Sequence, residues 1–260
     1  MEFFKKYFVV IFTAGILAAG TCPVFALDLD RLSDADIAQV QKILEELEPL
    51  IREREAQETL ATLTFDELYS PLGPEDREFL KQFESLDAAE LGVMIPYQGI
   101  ATGEEELTVI RGQEIMMNGE RKTIPAQYLP PKTYEAYLAM MDAMEKDLGK
   151  RLYIESGYRS SAYQMYLFVF YLKNHEYSIR ETVRWVALPG YSEHGAPQYQ
   201  AIDFINQDGI SGEEHPEDFE NLEEYQWLVK NAGRFNFLLS YPKGFAGITF
   251  EPWHWHYRRL

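Results

Sequence analysis

Tyr191-Ser192-Glu193-His194, followed nine positions after the histidine by Asp203 in Ala201-Ile202-Asp203, is the stretch on which the reading of this chain turns. Upstream lies Ser156-Gly157-Tyr158-Arg159-Ser160, and near the end of the sequence lies Glu251-Pro252-Trp253-His254. Brought together, these segments supply two imidazoles and one carboxylate: His194, His254 and Asp203. Such a set leaves the fourth position of a tetrahedral zinc open for water, the arrangement of a catalytic rather than a structural site. Glu251, three residues before the last of these histidines, is a free carboxylate placed to take a proton from that water. A lone histidine is more often a hydrogen-bonded polar residue than a ligand. The combination is what carries weight.

Spacing sets the local requirements. His194 and Asp203 are too far apart for adjacent turns of one helix. A loop must leave His194, and a short alternating strand, Gln200 to Ile205, must return Asp203 beside it. His254 and His256 lie two apart, and alternate strand residues share a face, so spacing alone leaves both as ligand candidates. Arg159 reads either as a salt-bridge partner at a strand end or as a guanidinium fork for a carboxylate or a developing oxyanion.

The order Ser-Gly-Tyr-Arg-Ser, Pro-Gly-Tyr-Ser-Glu-His, Ala-Ile-Asp, Glu-Pro-Trp-His resembles the zinc D-Ala-D-Ala carboxypeptidase family of bacterial cell-wall peptidases. That family includes vancomycin-resistance D,D-carboxypeptidases and L,D-carboxypeptidases, and it shares its fold with the hedgehog signalling domain. The resemblance covers about residues 120–260. It implies an α+β fold, a small antiparallel sheet carrying Zn2+ with packed helices. It implies His194, Asp203 and His254 as metal ligands, Glu251 as the base and Arg159 at the active site. Ser192 and Tyr158 are then expected to line the peptide subsite, and Gln164 to second a substrate hydrogen bond. His256 falls where relatives often have arginine. The implied activity is removal of a terminal D-alanine from peptidoglycan stem peptides. Alternatives are an endopeptidase or dipeptidase of the same family, or a non-catalytic zinc-containing module that binds wall peptide. One departure stands out: the family has three residues and then glycine after the histidine. Here the loop is two residues longer, with Tyr199 where that glycine would fall, which leaves the shape of this wall open.

With 260 residues, 46% hydrophobic and 14% aromatic, the chain is long and apolar enough for one substantial domain plus an accessory segment. A net charge of −18 argues against nucleic acid and against anionic lipid as partners. Residues 1–26 read as a secretory signal: Lys5 and Lys6, an apolar run from Tyr7 to Ala19, and Val24-Phe25-Ala26 for cleavage before Leu27. Two other readings remain, a lipoprotein signal ending at Cys22 and an uncleaved anchor. Cleavage would remove the only cysteine, leaving no disulfide and no thiol nucleophile. The expected location is periplasmic or extracellular.

Residues 27–90 form an acidic helical segment, with 18 Asp and Glu against 6 Lys and Arg. Ile37, Val40, Leu44, Leu47 and Ile51 make an amphipathic face, Ser33 is its N-cap, and Pro49 is expected to end or kink the helix. The segment reads as an arm packed on the main domain, as a spacer or as a partner-binding element. Residues 91–260 form the second unit. Asn118-Gly119 predicts a hairpin. A helix follows Pro130-Pro131 to Leu148, stopped by Gly149, with Met140, Met141 and Met144 as core filling. Strands are expected at 152–155, 200–205, 235–239 and 248–250. Helices are expected at 161–173 and 220–232, the latter with Val229 inward and closed by Gly233. His175 and His215 read as exposed polar residues.

Overall fold

The computed structural model describes residues 27–196, 199–213, 215–244 and 249–258, so the leader reading lies outside the described residues. Ser33 caps the first helix, α1 (Asp34–Ala56), its hydroxyl accepting the Asp36 N–H. Val40, Ile43, Leu47 and Ile51 form the buried stripe. Pro49 lies inside this helix and does not end it. A proline in a helix interior costs roughly 3 kcal/mol. Burying Leu47 and Ile51 around it contributes about 1.5–3 kcal/mol each, so the helix runs on.

Two short helices follow, α2 (Phe65–Tyr69) and α3 (Pro74–Lys81). Strand β1 (Thr108–Ile110) pairs antiparallel with β4 (Gln127–Leu129), and between them β2 (Glu114–Met117) and β3 (Glu120–Thr123) form the expected hairpin. Asn118 and Gly119 both take positive φ, 55° and 80°, as a tight two-residue turn demands. Helix α4 (Pro131–Leu148) ends where Gly149 turns left-handed, and its three methionines are buried.

Next come β5 (Leu152–Ser156), α5 (Ser161–Tyr171) with a 3₁₀ extension Leu172–His175, and α6 (Ile179–Thr182). The chain closes with β6 (Ala201–Asn206), α7 (Pro216–Glu220), α8 (Glu223–Asn231), β7 (Phe237–Leu239) and β8 (His254–Tyr257). One antiparallel sheet orders these last strands β5-β6-β8-β7. The single helix expected over 220–232 is broken instead at the extended Leu222. The break lets Phe219 and Tyr225, on the two sides of it, both turn inward edge to face, 6.2 Å apart. Val229 consequently faces out, and Asn236 rather than Gly233 takes the left-handed cap. Of the expected strand 248–250, Thr249 and Phe250 are not in a strand, and Ile248 lies outside the described residues.

Two apolar clusters hold these pieces. One lies under the sheet, where Ile154, Ile202, Phe204, Phe237 and Trp255 meet the α4 methionines and Leu228. The other joins Val40, Ile43, Leu47 and Phe83 to Ala162, Met165, Phe168 and Leu172 of α5 and its extension. The acidic segment therefore packs its apolar stripe directly on α5.

Candidate active site

Strand register places the first two donors. Asp203 in β6 lies directly opposite His254, the first residue of β8, so their side chains share a face. A register shift in β5 between Ile154 and Ser156 brings Ser156 opposite Asp203 on the other side. His194 arrives on a 3₁₀ turn, Glu193–Gly195. That turn is clamped to the Ser-Gly-Tyr-Arg segment, because the Arg159 N–H donates to the His194 carbonyl at 3.2 Å. Gly195 permits the close approach: a Cβ there would lie 2.9 Å from the Arg159 carbonyl oxygen.

Hydrogen bonds fix both imidazoles. His194 Nδ1 lies 2.7 Å from the Gly157 carbonyl, which can only accept, so Nδ1 carries the proton. Its Nε2 faces Asp203 Oδ2 at 3.0 Å. His254 is turned the other way round. Its Nε2 donates to Glu193 Oε2 at 3.0 Å, and its Nδ1 faces Asp203 Oδ1 at 2.7 Å. The three buried side chains offer one ligand atom each, all within 4.8 Å of one another.

Two imidazole nitrogens aimed at one carboxylate require a cation among them. A proton on His254 Nδ1 meets part of this need, leaving His194 Nε2 with a lone pair against Asp203 Oδ2. Burial works against it, but the Asp203 and Glu193 carboxylates lift its pKa to about 10. Asp203, against its own burial, is held well below the usual carboxylate range by the two imidazoles. A divalent metal is the alternative. Each histidine already has an acceptor behind it, Gly157 or Glu193, as metal-bound histidines do. Two nitrogens and one carboxylate oxygen fit zinc with an open position. Metal entry would displace the His254 proton.

Glu251 sits in the turn before β8, with Oε2 3.9 Å from His254 Nδ1. Its N–H donates to the Tyr241 carbonyl at 3.2 Å. Burial lifts its carboxyl to about 7, with His254 and Arg159 pulling down and Asp203 and Glu193 pushing up. A base poised near neutrality is suited to accept and return a proton.

A cavity of about 490 Å³ opens onto these groups, and Arg159, Gln164, Ser192 and Tyr241 line it. Arg159 Nε and Gln164 Oε1 are buried without a hydrogen-bond partner. Gln164 is anchored by its amide N–H to the Ala187 carbonyl at 2.8 Å. Unpaired buried polar atoms are costly, so both are available to a ligand. Tyr158 is not in the cavity lining. Its hydroxyl donates to the Glu105 carboxylate and accepts the Gly103 N–H at 3.1 Å, so it braces the 103–105 loop within a small core cluster.

Two residues escape the sequence reading. Glu193 anchors His254, and the available signal was an acid beside a candidate ligand, since a metal-bound imidazole needs an acceptor behind it. Tyr241 stacks its ring on His254 at 4.9 Å, a contact made only by the tertiary fold. His256, the other register candidate, is held by the Ser240 hydroxyl at 2.7 Å and is not among the three converging donors. Tyr199 is partly exposed, with its ring edge-to-face to His256, outside the cavity lining. His215 is exposed, whereas His175 is half-buried and lines the cavity.

The chain is similar to YodJ of Bacillus subtilis (strain 168), 33% identical over 140 residues, covering 52% of this chain and 48% of that protein. It is 29% identical over 191 residues to a D-alanyl-D-alanine carboxypeptidase of Enterococcus faecalis (strain ATCC 700802 / V583), covering 61% and 66%. It thus spans about half the length of the first and 66% of the second. A solved structure, the LD-carboxypeptidase LdcB, aligns over 63% of this chain and 74% of that one, with 25% identity and a TM-score of 0.47. The family model described as VanY, D-alanyl-D-alanine carboxypeptidase, matches residues 126–260, more than half of the chain and the whole of the converging donor set. On that match, this chain belongs to the VanY family of D-alanyl-D-alanine carboxypeptidases.

Proposed function

We propose that this chain is an exported zinc carboxypeptidase that removes the terminal D-alanine from peptidoglycan stem peptides. The observation that carries the reading is the fixed pair of imidazoles on Asp203 with the Glu251 carboxylate beside them. His194, Asp203 and His254 would hold the zinc, which when bound polarises the scissile carbonyl and acidifies a water. Glu251 receives that water's proton and hands it to the leaving amine. Arg159 steadies negative charge on the tetrahedral centre, its Nε being free to donate. Gln164 Oε1 accepts a substrate amide N–H, and Ser192 lines the same wall.

Charge and composition support the setting. A net charge of −18 disfavours nucleic acid and anionic lipid. No helix among the described residues is long and apolar enough to cross a membrane. The leader with cleavage before Leu27 is part of the proposal, tested by N-terminal sequencing of the exported protein.

The activity is tested by mass spectrometry of stem pentapeptides incubated with the zinc-loaded protein. Loss of one terminal D-alanine is expected. Loss of a dipeptide or cleavage within the stem would assign a different peptidase. An unchanged peptide would leave a binding module.

A further inference from the structure

The cavity does not stop at the metal donors. It runs on along α5, whose Gln164, Leu167 and Tyr171 form one helical stripe, continued by Asn174 and His175 of the 3₁₀ turn. Its far end is capped by Trp185. Of the four tryptophans, three are nearly buried, but Trp185 is 69% exposed. Its ring is held nonetheless, stacked on His175 with 9° between the planes. One face of the indole is thus backed by an imidazole, and Asn174 and the exposed Arg184, which is ion-paired with Glu181 at 3.2 Å, line the same cavity.

We propose that Trp185 is a platform for the sugar that carries the stem peptide, an N-acetylated muramyl residue. This rests on the proposed activity, because it names a second part of the same substrate. Length supports it. From Gln164 to His175 the helix and its 3₁₀ extension rise roughly 18 Å. Four extended stem residues between the scissile bond and the sugar span about 13 Å, and the linker to the sugar adds the remainder. Chemistry supports it as well. A pyranose presents C–H groups on its face, which pack on an indole, and hydroxyl and amide groups at its rim, which Asn174 and Arg184 can meet. The stacked His175 holds the indole in one orientation, so little side-chain freedom is lost on binding.

Calorimetry on zinc-loaded Glu251→Gln protein tests this without turnover. The ligands are the free stem pentapeptide and the same pentapeptide on N-acetylmuramic acid. The sugar-bearing ligand should bind up to about tenfold tighter, the range of one aromatic contact. In Glu251→Gln/Trp185→Ala that ratio should fall close to one, and Trp185→Phe should restore part of it. Equal affinities in the parent, or a ratio that survives Trp185→Ala, would overturn the platform. Trp185-dependent co-sedimentation with phospholipid vesicles, without a sugar effect, would assign the indole to a membrane surface. Failure of the unmutated chain to release D-alanine from the free pentapeptide would sink the activity, while the affinity ratio still decides the platform.

Discussion

Glu193 and Glu251 are two carboxylates within reach of His254, and they do different work. Glu193 accepts from Nε2 at 3.0 Å, the nitrogen that faces away from the donor cluster. Burial would raise its pKa, but His254 and the Ser240 hydroxyl hold it below the ordinary value, so it stays charged. Glu251 is on the cavity side and is not one of the converging donors. Glu251→Gln should therefore keep its fold and its zinc, measured by melting and elemental analysis. Its turnover should fall by about 10²–10⁴-fold; near-normal turnover would remove the mechanism. Glu193→Gln should show the reverse pattern. Its zinc affinity, read by competition with a chelator, should drop roughly 10–100-fold, while substrate affinity of the fully loaded protein changes little. That His194, Asp203 and His254 converge was legible because histidine and aspartate in ordered motifs report their own chemistry. Glu193's role was not, because it depends on a 3₁₀ turn that reverses it onto a strand 61 residues away.

Elements were legible where a single residue dictates the backbone. Asn118-Gly119, Gly149 and the Ser33 cap all fell where turn and cap chemistry put them. Packing decides elsewhere: Pro49 does not end its helix, whose buried neighbours carry it on, and at Leu222 two aromatic rings break a helix expected to be continuous. Local chemistry can be tested at α2. Thr64 and Glu67 form a reciprocal capping box, and Arg54 adds an ion pair to Glu67 at 2.7 Å. Thr64→Ala should cost about 1 kcal/mol in chemical denaturation. Burial pushes the Glu67 carboxyl up, but Thr64 and Arg54 hold it below 4.5 on balance. A depressed folded pKa means stability present above the unfolded value and lost as pH falls through the folded one. Glu67→Gln should then be less stable than the parent near neutrality, with the difference closing below pH 4.5. A gap that persists in acid would mean that packing, not charge, sets its contribution.

At the scale of the whole molecule, the decisive feature is that family and fold do not share a boundary. The family match begins at residue 126, yet α5, which lies inside it, is buried against residues that precede it. Phe83 and Phe168 meet at 6.2 Å between ring centroids, and Ile43, Leu47 and Leu80 close over the same cluster. The Ser160 hydroxyl, which caps α5, donates to the Leu63 carbonyl, tying the start of that helix to the N-terminal layer. Leu91 and Val93, just beyond the acidic helices, also wall the cavity. Removing residues 27–90 would strip one face of α5 and expose Met165, Phe168 and Leu172 to water. The protein starting at residue 91 is therefore expected to aggregate or to melt without a cooperative transition, although all the converging donors are retained. A point substitution gives the graded version. Phe168→Ala should lower stability by roughly 3–5 kcal/mol in one transition that includes the metal site. Two separate transitions, with only the first sensitive to Phe168→Ala, would mean that the N-terminal layer and the sheet fold independently. A soluble, cooperatively melting 91–260 fragment would say the same.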